Sequence, residues 1–159
     1  MINKTLTNES FDMLKGSSDF LNIVLNNINS CVLLLNQKME LQAFNNSMKT
    51  IFSNKPDEHL LYKRCGEAIG CAYQVEEARN CGDTSRCCNC DLRVSALTSY
   101  MENRPVFKNY VERPFYKNSG EKVMKQLQFS TRLFTHANEK YIILIIEDIS
   151  SFSEPPHFN

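Results

Sequence analysis

The chain has 159 residues, with 18 Lys+Arg against 18 Asp+Glu and therefore a formal net charge of zero. That length suits one domain with a core of its own, and the charge balance offers nucleic acid or an anionic membrane no electrostatic handle. The strongest apolar run, Tyr141 to Ile146, is far too short to span a bilayer. The polar N-terminus carries no apolar export segment, so the expectation is a cytoplasmic protein.

In chain order, residues 1–19 read as a polar lead-in, with Phe11 and Leu14 the apolar pair of a short or frayed helix. Ser17, Ser18 and Asp19 are N-cap residue types. After them Phe20, Leu21, Val24, Leu25 and Ile28 recur at helical spacing. That stripe is expected to pack on the domain's own sheet, with pairing to a second subunit as the alternative. Cys31 to Leu35 reads as a strand, Asn36-Gln37-Lys38 as a turn, and Glu40 to Phe44 as the returning strand. Asn45-Asn46-Ser47 offers a cap for a helix carrying Met48, Ile51 and Phe52, closed by Pro56 and Asp57.

Residues 65–90 then gather six of the seven cysteines: Cys65, Cys71, Cys81, Cys87, Cys88 and Cys90. Cys31 stands apart and reads as a small buried residue of the first strand. An odd number of cysteines, concentrated in one segment of a chain without an export signal, argues for metal binding over a disulfide framework.

Beyond Cys90, Leu92, Val94, Ala96, Leu97, Tyr100 and Met101 predict a helix that stops near Asn103-Arg104-Pro105. From Val123 to Thr135 the apolar residues alternate, as in a half-buried strand. Phe107 to Tyr116 would pair with it across Asn118-Ser119-Gly120. Tyr141 to Ile146 does not alternate, which places it at the centre of the sheet with both faces covered. The helices cover one face; the other calls for the N-terminal helix or a second subunit, and hence a homodimer. Residues 151–159 have no periodicity and read as a disordered tail.

Two strands, several short helices and three strands with the last one central form an order that resembles a PAS domain over residues 20–150. Asn45 after the second strand and Ile146-Glu147-Asp148-Ile149-Ser150 at the end are similar to short PAS signatures. Gly66-Glu67-Ala68-Ile69-Gly70-Cys71, Cys81-Gly82 and Cys87-Cys88-Asn89-Cys90 further resemble the cysteine-rich insertion of a subgroup of bacterial PAS sensors that bind iron–sulfur clusters. The resemblance implies an α+β fold: a five-stranded antiparallel sheet with short helices on one face and an N-terminal helix. It implies a signal-input role without catalysis, exerted through a partner such as a kinase, cyclase or regulator. The chain ends where a kinase or cyclase module would begin, so the usual output is expected to be absent. Cys65 and Cys88 are not required by the subgroup's pattern.

Cys87 and Cys90 have the C-x-x-C spacing at which two thiolates turn toward one metal or cluster corner. Cys81 precedes Gly82 and Cys71 follows Gly70, each a point where the backbone can bend tightly. Cys88, adjacent to Cys87, points elsewhere. The expected ligands are therefore Cys71, Cys81, Cys87 and Cys90, with Cys65 the first substitute and Cys88 also in reserve. A single knuckle with uneven spacing suits an iron–sulfur cluster, with [4Fe–4S] preferred to [2Fe–2S]; structural zinc, in a module that only mediates protein contacts, is the competitor. His59, His136 and His157 add little, and Arg79 and Arg86 are either counter-charges to the thiolates or solvated loop residues. A thiol–disulfide enzyme built on Cys87 and Cys90 lacks the expected βαβ surroundings, and no phosphate loop, kinase signature or nucleophile elbow is present.

Overall fold

The computed structural model describes residues 18–52 and 60–151. The expected helix at 2–16, the Pro56-Asp57 stop, His59 and the tail with His157 lie outside the described residues. The elements are α1 (Ser18–Asn27), β1 (Cys31–Leu35), β2 (Leu41–Phe44), α2 (Ser47–Ile51), α3 (Cys65–Ile69), α4 (Ala72–Glu77), a 3-10 turn (Cys87–Asn89), α5 (Asp91–Glu102), β3 (Val106–Tyr116), β4 (Lys122–His136) and β5 (Glu139–Asp148). None of these helices is long and apolar enough to cross a membrane.

The five strands form one antiparallel sheet in the order β2-β1-β5-β4-β3. The non-alternating strand is thus central. Its even-numbered side, formed by Ile142, Leu144 and Ile146, is fully buried. Tyr141, Ile143 and Ile145 on the other side are only half-buried, so the outer face is less covered than the sequence predicts. Leu127, Phe129 and Thr131 face the same core as the even side of β5, as the alternation in β4 requires. The β3–β4 hairpin closes with Tyr116 opposite Lys122.

Two buried polar groups fix the layers. Asn45 accepts from the Val32 N–H (2.9 Å) and donates to the Leu25 and Ser30 carbonyls (2.6 and 2.9 Å). It therefore ties the end of β2 to β1 and α1, leaving none of its side-chain groups to cap α2; Asn46 takes the cap position without a side-chain bond. Ser99 and Thr131 share a hydroxyl hydrogen bond of 2.7 Å, and Thr131 donates to the Ser95 carbonyl (3.0 Å), locking α5 onto β4.

The expected packing of α1 on the sheet is corrected. None of its residues is buried, and Leu21, Ile23 and Val24 are exposed. The helix is held at its C-terminal end, through Asn45 and through Asn26, whose side chain accepts from the Asn46 N–H (3.0 Å).

Candidate metal centre

The cysteine block folds as short helices separated by sharp turns. α3 ends in Gly70 with φ of 80°, a left-handed turn that glycine enters without a Cβ clash. Cys71 follows as the N-cap of α4, and Cys90 is the N-cap of α5. Between Cys87 and Cys90 the chain makes a 3-10 turn, with the Cys90 N–H bonded to the Cys87 carbonyl at 3.2 Å.

These turns bring Cys65, Cys71, Cys81, Cys87 and Cys90 around one cavity of about 30 Å³, together with Met39, Leu92, Arg93 and Arg113. All four expected ligands are in its wall, and so is Cys65, the first substitute. Cys88 is exposed and is not part of that wall. Cys31 is buried in β1, as expected of a core residue. His136 is exposed at the end of β4 and stacks beside Phe134, with ring centroids 6.1 Å apart.

Three of the four expected ligands, Cys71, Cys81 and Cys87, have a hydrogen-bond donor at the sulfur. Cys81 Sγ accepts from the Gly66 N–H at 3.3 Å, and Cys87 Sγ from the Gly82 N–H at 3.1 Å. Thr84 Oγ1 lies 2.8 Å from Cys87 Sγ, and Arg113 Nη2 lies 3.6 Å from Cys71 Sγ. Cys90 is the N-cap of α5 without a side-chain cap hydrogen bond, and the nearby backbone N–H groups of Arg93 and Leu92 act to lower its thiol. Gly66 is needed for close approach: a Cβ there would stand 2.9 Å from Cys81 Sγ. Gly82 has φ of 103°, and a Cβ there would meet the Arg93 guanidinium at 2.9 Å. Arg64 anchors the same turn, donating to the Cys81 carbonyl at 2.7 Å.

Burial pushes the Cys81 thiol up to about 11, while the Gly66 N–H pulls in the opposite direction. Burial also raises Cys90, partly offset by Arg113, and it raises Cys65 strongly, with the neighbouring thiols adding to the effect. These thiols are neutral at pH 7 until a metal displaces their protons.

The donor types fit a thiophilic metal or cluster: sulfur ligands of separate turns, three of them supported by an outer hydrogen bond. Among the described residues, no three Cys, His or carboxylate groups converge closely enough for one ion. The cavity is also narrow, roughly twice the ~15 Å³ that admits one water. Cys81, Cys87 and Cys90 are partly exposed, so on that side the wall is a surface loop. A cluster would require this loop to move outward; a single ion would require the thiols to draw in.

Proximity in sequence points to Arg79 and Arg86 for positive charge. Arg79 instead donates to the Asp83 carbonyl (3.5 Å), and Arg86 lies over the Tyr73 ring. The guanidiniums in the cavity wall are those of Arg93 and Arg113. Arg113 comes from β3, outside the block; the available signal was an arginine between Val111 and Phe115 on the core-facing side of an alternating strand.

The structure matches the PAS domain of nitrogen regulation protein NR(II) from Vibrio parahaemolyticus with a TM-score of 0.60 at 12% identity, covering 81% of this chain and 97% of that one. The fold is PAS-like. The PAS domain of an HTR-like protein from Haloarcula marismortui matches with a TM-score of 0.58 at 13% identity, covering 86% of this chain and 100% of that one. The PAS domain of BvgS from Bordetella pertussis matches with a TM-score of 0.52 at 18% identity, covering 82% of this chain and 85% of that one. No protein-family model matches the sequence, and no curated protein matches it. In this PAS-like frame the cysteine cavity lies on the helical side of the sheet, against β3.

Proposed function

We propose that the PAS-like chain is a non-enzymatic signal-input domain that holds an iron–sulfur cluster, [4Fe–4S] in preference to [2Fe–2S], through Cys71, Cys81, Cys87 and Cys90. The observation that carries this reading is that all four cysteines line one cavity, three of them with a hydrogen-bond donor at the sulfur. Cys65 is the substitute ligand. A bound cluster would supply redox chemistry that oxygen, nitric oxide or a change of potential can alter.

The protein's own part is to hold the thiolates and to connect them to the sheet. Cys90 begins α5, and α5 is locked to β4 through Ser95, Ser99 and Thr131. Cys71 is bridged to Phe115, and the Tyr116 N–H donates to the Gly70 carbonyl at 2.8 Å. Loss of ligation therefore loosens two attachments at once, one to β4 and one to β3. The half-buried outer face of β5 and the exposed stripe of α1 are where a signalling partner or a second copy in a homodimer would dock. The cytoplasm, which keeps thiols reduced, is the compartment this chemistry suits.

Zinc is the second reading, in a module that serves only protein contacts. All-thiolate donors permit it, and what favours a cluster is the sequence spacing, with a single C-x-x-C knuckle and two widely spaced cysteines. Purification without oxygen, followed by an absorption spectrum and iron, sulfide and zinc analysis, separates the two. Brown protein with iron and sulfide supports the proposal; colourless protein with stoichiometric zinc overturns it.

A further inference from the structure

Among the described residues lining the cysteine cavity, Arg113 is the one carried by a strand. It occupies a half-buried position on the side of β3 where Val111 and Phe115 enter the core. A guanidinium in that place needs a compensating anion. Among the described residues no carboxylate pairs with it, and the groups acting on it are Cys90, Cys71 and Tyr73.

The surroundings sharpen the requirement. Arg113 Cζ lies 5.3 Å from the centre of the Tyr73 ring, and Arg86 Cζ lies 5.3 Å from the same centre. Directly across the strand pair stands Lys125, another cation, already bonded to Asp148 at 2.9 Å. Arg86 has Glu77 and Lys125 has Asp148 to act on, so Arg113 is the cation for which the thiols are the groups placed to become the counter-charge. Four thiolates on either a cluster or a zinc ion leave an excess of roughly two negative charges.

We propose that Arg113 is the positioning residue that balances the charged thiolate site and reports that charge to the sheet. This rests on the cluster reading given above. With the thiolates ligated, the guanidinium is held toward Cys71 and Cys90, and β3 is pinned through it. With neutral thiols that attraction is gone, and β3 keeps its backbone ties to the block, the Tyr116–Glu76 hydrogen bond and the stacking of Arg113 on Tyr73. The route is separate from the one through Cys90 and α5, because it runs through a side chain that is not a ligand.

The test uses the full chain loaded anaerobically with iron and sulfide, as wild type, R113Q, R113K and R86Q. Reduction adds negative charge to the cluster, so losing the nearby cation disfavours the reduced form. R113Q is expected to retain iron yet lower the reduced-to-oxidised ratio at fixed potential about tenfold, a downward shift of about 59 mV for a one-electron couple. R113K, which keeps the charge, should stay within about threefold of wild type, as should R86Q, whose side chain is not part of the cavity wall. Amide exchange in 106–116 should slow on loading in wild type, with that response lost in R113Q. Unchanged potential and exchange response in R113Q overturn the proposal and leave the cluster reading standing. Wild type that takes up no iron overturns both, and is told apart before any variant is compared. Should R113Q fail to fold, Y73L removes the ring that supports the guanidinium: a lowered potential supports the proposal and an unchanged one overturns it.

Discussion

Gly66→Ala places a methyl group 2.9 Å from Cys81 Sγ, 3.2 Å from Cys81 Cβ and 3.4 Å from Cys71 Cβ. Gly66 lies in α3, where alanine is the better helix former by about 1 kcal/mol. Against that gain stands overpacking, which costs about 1–3 kcal/mol in a closed site. The metal-free variant is therefore expected to lose only about 0–2 kcal/mol, measured by urea unfolding under reducing, anaerobic conditions. Ligation should suffer far more. The methyl displaces Cys81 and removes the 3.3 Å approach of the Gly66 N–H to its sulfur. Loss of such outer support lowers metal affinity about 10–100-fold. Iron retention against a chelator reads this directly. A variant that keeps iron within about threefold of wild type, with unchanged stability, would refute the idea that Gly66 sets the position of Cys81.

Three further outcomes follow from the same geometry. Cys81→Ala should reduce retained iron about tenfold or more, whereas Cys88→Ala, at an exposed site outside the wall, should leave it nearly unchanged; equal losses would place Cys88 among the ligands. Asn45→Ala removes three hydrogen bonds from a buried corner and is expected to cost about 2–4 kcal/mol in chemical unfolding; a change below about 1 kcal/mol would show the corner to be solvated. Metal-free protein should weaken in alkali, because the Cys81 thiol rises from 9.0 to about 11 on folding, chiefly by burial. Its contribution is complete below the unfolded value and is lost as pH climbs through the folded one, by about 1.4 kcal/mol per pH unit over that window. Cys65 and Cys90 shift in the same direction. Stability that stays flat from pH 9.0 to about 11 would contradict this.

The sheet was legible because strand signals depend on local pattern. The alternation from Val123 to Thr135 and the unbroken run from Tyr141 to Ile146 correspond to β4 and to the central strand β5. The helix after Cys90 was readable for the same reason, with its stop in the left-handed Asn103. The cysteine wall was also readable, because thiols spaced by glycine turns are marked as a group. Arg113 was missed because sequence proximity suggested Arg79 and Arg86, while the real neighbour arrives by strand pairing. For α1, the apolar stripe was real, but periodicity does not say which surface it meets. Asn45 likewise shows a limit of cap rules: a side chain spent on β1 and α1 is not available to α2.

β3 is an edge strand, and such edges invite pairing with other chains. Here the Cys71–Phe115 bridge and the Tyr116–Gly70 bond lay the cysteine block along its C-terminal end. Pro114, which donates no hydrogen bond, interrupts the row of N–H groups at the same place. The block thus covers the C-terminal end of the open edge. Whatever orders residues 65–90 also shields that end, so damage to the site carries an aggregation hazard in addition to any loss of signal.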